Sequence, residues 1–420
     1  MDSQNRWWQR EEDGLLRGEW EKRYEGTIAP NLAGKRILFA YNSCVDRILH
    51  VRDTSWIVPR QPMPSRLESM SDVSAALHFC MTRGIGHELV FQDMALRKDM
   101  EGFRFDEVRL GGQASIMALM ADLCGAIPIL YPGNVSGEMS RLLPESTLVP
   151  QDGSLVSVRG MRAHESMPHY IFEFERGLKI GRTRVGRDNR FIASMVPPDL
   201  EFDEGFVDML PVLAREAQCS VISGFHLIAP RYRNATYRNH FEGIASHMRI
   251  LKDDTKNKIH CEMASMGAEA LQHFGEMILP LTSSIGANER ELAFLAECMG
   301  KKIDTGIVDL YEGMVFLQER CRVKRIHVHN LGYYLCLTEH PERERAKLLF
   351  SSLAAAAKAR LGEIRHTSDI EQSRGVPISE KGLEEMKILA RHLGSKEILR
   401  EGIYENLVCI PTKVVEHPRS

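Results

Sequence analysis

The sequence predicts an α/β fold: a mostly parallel sheet covered by helices, carrying a smaller β-containing insertion. Three observations predict it. Short β-rich runs alternate with longer amphipathic helical patterns along most of the chain; two stretches break that rhythm; and no run approaches the length of a membrane span. The β-rich runs fall at 36–41, 127–131, 220–223, 258–262, 325–329, 333–337 and 407–415. Helical periodicity covers 113–124, 205–217, 237–251, 289–298, 343–360 and 380–392. Three of the four tryptophans lie within the first 20 residues and are expected to anchor an N-terminal helix.

The breaks run from about residue 50 to 110, entered through the proline-rich 59–64, and from about 155 to 200. The second contains the alternating strand pattern of 169–174 followed by a basic loop over 179–190. Both read as one inserted lid, spanning 50–110 and 155–204, on a large domain made of 1–49, 111–154 and 205–420. Two crossings into a small subdomain create a cleft, and the carboxyl ends of the parallel strands open into it.

Composition excludes several classes of function. With 54 basic and 57 acidic side chains the net charge is −3, so nothing favours nonspecific binding to nucleic acid or to an anionic membrane. The nine cysteines are scattered without a CxxC pair, which points to a reducing, cytoplasmic setting, and the N-terminus lacks the apolar core of a secretion signal. Neither GxxxxGK[ST] nor a GxGxxG after a strand occurs, so a different phosphate-handling scheme is needed.

Several short motifs sit where the cleft is expected. Asn288-Glu289-Arg290-Glu291 opens a helix after an apolar stretch; it reads either as a capping box or as a carboxylate holding the water shell of Mg²⁺ beside a polyphosphate. Glu262, in His260-Cys261-Glu262, ends a buried strand and is either cleft-facing or a structural carboxylate. Gly111-Gly112-Gln113-Ala114 precedes a helix, bringing bare backbone and an amide toward a polar ligand, or simply making a tight turn. Asn42 and Asp46, after the first strand, suit sugar hydroxyls and equally suit a turn. Arg176, Lys179 and Arg190 are cations that could clamp a phosphate, or a solvated basic loop.

In order and spacing these segments, with Gly84-Ile85-Gly86-His87-Glu88, 189–192, Ser223-Gly224-Phe225 and His327-Val328-His329, resemble the archaeal-type ADP-dependent glucokinase and phosphofructokinase family of the ribokinase-like superfamily, over nearly the whole chain. The resemblance implies a ribokinase-like three-layer α/β/α domain with a β-containing lid. It implies phosphoryl transfer from MgADP to glucose or fructose 6-phosphate, giving AMP, as a step of glycolysis. By it Asn42, Asp46, Glu88, Gly112 and Gln113 would contact the sugar, and Arg190 would receive a sugar phosphate. Glu262 and Glu291 would organise the metal, while Asn288 and His329 would border the nucleotide.

Two departures accompany the resemblance. Cys44 stands where the family usually has a second Asn. The family's GxGD motif, with its anion-hole glycines and its base, would follow 410–420, and no GxGD occurs in the 420 residues. No catalytic base is therefore assigned, and the reading frame is expected to continue past Ser420 into a glycine-rich turn and Asp. The alternative is a kinase relative that binds sugar or nucleotide without turnover.

Overall fold

The computed structural model describes residues 2–58, 63–131, 135–195, 204–228, 236–252 and 257–415, with side chains from residue 14. Its strands are β1 (Arg36–Ala40), β2 (Cys44–His50), β3 (His87–Phe91), β4 (Glu107–Gly111), β5 (Ile127–Tyr131), β6 (Leu148–Gln151), β7 (Ser154–Ser157), β8 (Pro168–Phe174), β9 (Lys179–Ile180), β10 (Thr183–Arg184), β11 (Asn189–Met195), β12 (Cys219–Ile222), β13 (Lys258–Glu262), β14 (Ser284–Asn288), β15 (Arg325–His329), β16 (Tyr333–Leu337), β17 (Ile403–Tyr404) and β18 (Leu407–Pro411).

Eleven strands form the large sheet in the order β17-β18-β16-β15-β14-β13-β12-β1-β5-β6-β7. The seven from β15 to β6 pair in parallel, and antiparallel strands close both edges. Buried parallel strands are apolar on both faces. Leu38, Ile129, Ile222, Ile259, Ile285, Ile326 and Val328 accordingly lie in the core at zero exposure. Chain order reverses between β1 and β12: β5 follows on one side, β13 and β14 on the other. Beyond the carboxyl ends of such strands lies the crevice where α/β sheets bind ligands. Asn42 follows β1 and Ser223-Gly224 follows β12, so both segments sit at that crevice.

The small sheet has the order β3-β11-β8-β2-β4. Alternation sends Tyr170, Phe172, Phe174 and Phe191 to one face, where they pack on Val73, Ala76, Leu77 and Cys80 of the helix Met70–Arg83. Asp46, His169 and Ser194 pair across β2, β8 and β11 on the opposite face, and Ile48, Ile171 and Ile192 form the next row of that face.

The chain enters the small sheet earlier than expected. β2 begins at Cys44, not beyond residue 50, because Asp46 and Arg47 break the apolar alternation of a strand whose one face is polar. β4, Glu107–Gly111, closes the small sheet one residue past the expected boundary at 110, whereas β7 pairs with β6 at the edge of the large sheet although residues from 155 were placed in the lid. The strand expected over 407–415 ends at Pro411; beyond it Lys413 makes a single bridge to Ile378.

The N-terminal helix Asp2–Glu25 lies against the helices Glu397–Glu401 and Pro341–Leu361. Trp20 is fully buried and donates its indole N–H to Leu399 O at 3.0 Å, and Tyr24 donates its hydroxyl to Pro411 O at 2.6 Å. The side chains of Trp7 and Trp8 lie outside the described residues. Truncating a fully buried aromatic costs about 3–5 kcal/mol. Trp20→Ala should lower stability by about that amount in urea titrations of the full chain; a change under about 1 kcal/mol, the size of a surface substitution, would contradict this packing.

Candidate active site

Asn42 is clamped by backbone. Its carbonyl accepts from Ala114 N at 2.8 Å, and a Cβ at Gly112 would lie 2.5 Å from the same oxygen, while one at Gly224 would lie 3.1 Å from Asn42 N. Both glycines hold positive φ, +78° and +94°, so side chains there are disfavoured twice over. Four residues on, Asp46 lies over Gly111 of the neighbouring strand, whose missing Cβ leaves room for the carboxylate.

Gln113 begins the helix Gln113–Leu123. Its amide N–H₂ donates to Met263 O at 2.9 Å, which turns the amide oxygen the other way; that oxygen is buried without a partner. A buried acceptor left unpaired costs free energy, and a ligand hydroxyl is the group that would satisfy it.

Around Asp46 stand Cys44, His169, Ser194, Glu88 and His226. Ser194 donates its hydroxyl to Glu88 Oε1 at 2.5 Å. His226, in the turn after β12, feels the charges of Glu88 and His169 across the cleft; burial holds its imidazole below the ordinary histidine range, with Glu88 opposing and His169 reinforcing. Burial likewise raises the Cys44 thiol well above the ordinary range, and the charges of Asp46 and Glu88 add to it. Arg190 lies on the same face, in register with Glu173 of β8 rather than with Asp46, and is exposed. It stands four residues along β11 from Ser194.

A second cluster runs along one face of the large sheet to its strand ends. Arg325 donates to Ser284 Oγ at 2.9 Å; Ser284 Oγ lies 2.9 Å from His260 Nδ1, and His260 Nε2 donates to Glu262 Oε2 at 3.2 Å. The last direction follows because an ionised carboxylate can only accept. His329 Nδ1 approaches Glu262 Oε1 at 3.8 Å, and Gly286 provides the space for the carboxylate on β14. Burial works against the Glu262 charge, but the His260 hydrogen bond and the charges of His260, His329 and Arg325 outweigh it and hold the carboxyl below the ordinary glutamate range.

Asn288 and Glu291 form a full capping box: Asn288 Oδ1 accepts from the N–H groups of Arg290 and Glu291, and Glu291 Oε2 accepts from Asn288 N at 2.9 Å. Burial pushes the Glu291 carboxyl up, against the lowering effect of that backbone hydrogen bond. The structural reading of this motif is thus realised, and it leaves Oε1 of Glu291 for other ligands.

The cleft therefore brings Asn42, Asp46, Glu88, Gly112 and Gln113 to one side and Glu262, Asn288, Glu291 and His329 to the other. Gln113 joins them, because Met263 follows Glu262 in the chain. Arg190 stands apart from the Asp46 group. Sequence reasoning passed over His169, Ser194 and His226 as site residues. The alternation of β8 and β11 places His169 and Ser194 opposite the core aromatics, and that was the available signal; His226 follows Ser223-Gly224 with no distinctive pattern.

The two glutamates should titrate on opposite sides of the ordinary glutamate value, Glu262 below and Glu291 above, in carboxyl ¹³C NMR with assignments from Gln variants. The sign for stability follows. Glu262 contributes above its unfolded pKa and loses that contribution as pH falls through its lowered folded pKa. Glu291 favours the fold at low pH and loses that contribution as pH rises through its raised folded pKa. Coincident titrations would contradict the hydrogen-bond chain.

With the geometry in hand, similarity to known proteins is informative. The chain is 31% identical to the ADP-dependent glucose/glucosamine kinase of Pyrococcus abyssi over 417 residues, covering 92% of this chain and 91% of that protein. It is 26% identical to the ADP-specific phosphofructokinase of Methanosarcina acetivorans, covering 96% and 94%. A solved ADP-dependent kinase in complex with fructose-6-phosphate and ADPβS superposes with a TM-score of 0.80 at 30% identity, covering 96% and 94%. The conserved region of ADP-specific phosphofructokinase/glucokinase matches residues 35–420, and on that match the chain belongs to the ADP-specific phosphofructokinase/glucokinase family.

Proposed function

We propose that the protein is an ADP-dependent sugar kinase that transfers the β-phosphate of MgADP to glucose or fructose 6-phosphate and releases AMP. The observation that carries this reading is Gln113, whose amide N–H₂ is tied to Met263 O, next to Glu262, while its amide oxygen is buried without a partner at the start of the helix that follows Gly112. Family membership and the solved sugar-phosphate complex of a relative support it over a non-catalytic reading.

In this proposal the acceptor sugar lies on the polar face of the small sheet, under Asp46, Asn42, Gln113 and the Gly112 backbone. Glu88, fixed by Ser194, accepts from a hydroxyl of unphosphorylated glucose, and Arg190 meets the phosphate of fructose 6-phosphate. The five-stranded sheet, with its entry strand from Cys44, acts as the lid. Closing it over the strand ends excludes water and brings the sugar hydroxyl in line with the β-phosphorus.

ADP lies along the carboxyl ends of β13, β14 and β15, bordered by Asn288 and His329. The donor set suits a hydrated magnesium ion: Glu262 is held ionised and Glu291 keeps a free Oε1, and Mg²⁺ retains most of its waters and takes one or two carboxylates with phosphate oxygens. Bound there, Mg²⁺ would neutralise phosphoryl charge. The residues themselves hold its water shell. The hydrogen-bond chain from Arg325 holds Glu262 in one orientation and favours its anionic form.

A coupled assay for AMP formation, with calorimetry for ADP and each sugar, tests the reading; binding of neither ligand would overturn it. Glu88→Ala should reduce kcat/KM for glucose at least tenfold more than for fructose 6-phosphate, and Arg190→Ala the reverse. Equal losses for both sugars would remove these assignments. Gly111→Ala, which forces the Asp46 carboxylate off its strand, should weaken sugar binding about tenfold, equivalent to about 1.4 kcal/mol, while ADP binding is unchanged. Parallel loss of both ligands would show a general disturbance instead.

A further inference from the structure

On the sugar side of the cleft Asp46 stands with two side chains, Cys44 and His169, that neither sugar binding nor phosphoryl transfer explains. Cys44 Sγ lies 3.4 Å from His169 Nδ1 and 3.4 Å from Asp46 Oδ1, and His169 Nδ1 lies 4.0 Å from Asp46 Oδ1. Among the described residues, this group brings three potential metal-ligand atoms within 4.8 Å of one another. Zinc bonds of about 2.3 Å to sulfur and about 2.0–2.1 Å to nitrogen or oxygen, at tetrahedral angles, separate neighbouring ligands by about 3.3–3.6 Å. Two of the three edges already have that length and the third needs a few tenths of an ångström.

The positions are fixed by the sheet. Cys44 and Asp46 are alternate residues of β2, so both point to the same face, and Asp46 pairs directly with His169 of β8. The surroundings favour a cation: Cys44 is 4% exposed, and Asp46 and Glu88 crowd its thiol with negative charge. Glu88, held by Ser194, supplies a further carboxylate just outside the triad. Thiolate, imidazole and carboxylate together select zinc and similar borderline metals over magnesium, which requires a shell of oxygens.

We propose that Cys44, Asp46 and His169 form a zinc-binding site whose occupancy blocks the sugar. Three protein ligands with the fourth taken by water is the composition of exchangeable zinc sites. Binding releases the thiol proton and takes Asp46 out of reach of sugar hydroxyls. The metal site stands on its own ligands; the blocking rests on the reading of Asp46 as a sugar contact.

Cobalt(II) serves as the spectroscopic probe. The full chain titrated with Co²⁺ should develop a thiolate-to-cobalt charge-transfer band saturating at one equivalent. It should be bleached by Zn²⁺, unaffected by a large excess of Mg²⁺, and absent from Cys44→Ser. His169→Gln keeps the thiol and should bind cobalt at least tenfold more weakly, so it serves if the serine variant does not fold. In calorimetry, one equivalent of Zn²⁺ should reduce affinity for glucose and fructose 6-phosphate at least tenfold and leave ADP affinity unchanged. A band that persists in Cys44→Ser, or no band at all, overturns the metal site. A Cys44-dependent band with unchanged sugar affinity overturns the blocking. Metal-free Asp46→Ala tests the sugar reading by itself, since its failure to weaken sugar binding would remove that reading and leave the cobalt result standing.

Discussion

Everything in the cleft depends on how closely the backbone of Asn42 is enclosed. One carbonyl is met by the first turn of the Gln113–Leu123 helix, and two glycines in left-handed conformations close around the same residue from β4 and from β12. That contact joins strand β1 of the large sheet, the turn at the point where strand order reverses, and the first strand of the small sheet, which begins two residues later. Interiors at this density do not deform gradually. The small sheet is therefore set over the large one by backbone packing, and the side chains that face each other across the cleft inherit their positions from it.

The nucleotide side is organised differently, by a polar layer on one face of the large sheet. Arg325, Ser284, His260 and Glu262 form a single line of hydrogen bonds, and Glu344 of the helix Pro341–Leu361 pairs with the buried end of it. Breaking a buried ion pair strands a charge, so such a line is all or nothing. His327 sits beside it, and burial, reinforced by the neighbouring Arg325, drives its imidazole well below the ordinary range. The result is a carboxylate that presents a fixed charge at the strand ends with little reorganisation on ligand binding.

Much of this was legible in the sequence, for a physical reason. Strands β5, β13, β15 and β16 and the helix Glu289–Cys298 fall on the expected residues because apolar strands inside a covered sheet and an amphipathic capped helix leave strong patterns. Among the strands not expected, β2, β3 and β4 carry Asp46, Arg47, Glu88, Glu107 and Arg109, while β14 was read only as an apolar stretch before a helix. A sheet face built to meet a polar ligand weakens the apolar alternation by which a strand is recognised, so the binding surface hides the element that bears it. The same limit applied to the site. Glycine and carboxylate motifs marked Asp46, Gln113 and Glu262, whereas His169, Ser194 and His226 became visible only when strand pairing set them beside those residues. Asn288 and Glu291 show the converse: the motif read as a cap and as a metal element is a cap in full, with one oxygen to spare.

The packing of the first helix bears on how the chain is made. Trp20 bonds to a carbonyl 379 residues away and Tyr24 to one 387 residues away. Contacts of such separation cannot form early on a ribosome, where the amino end emerges first. During synthesis the apolar side of that helix stays uncovered while β1, β5 and the entire small sheet are already available to fold. The β17–β18 edge of the large sheet and the seat of the first helix form in the same late event, so the two become stable together or not at all.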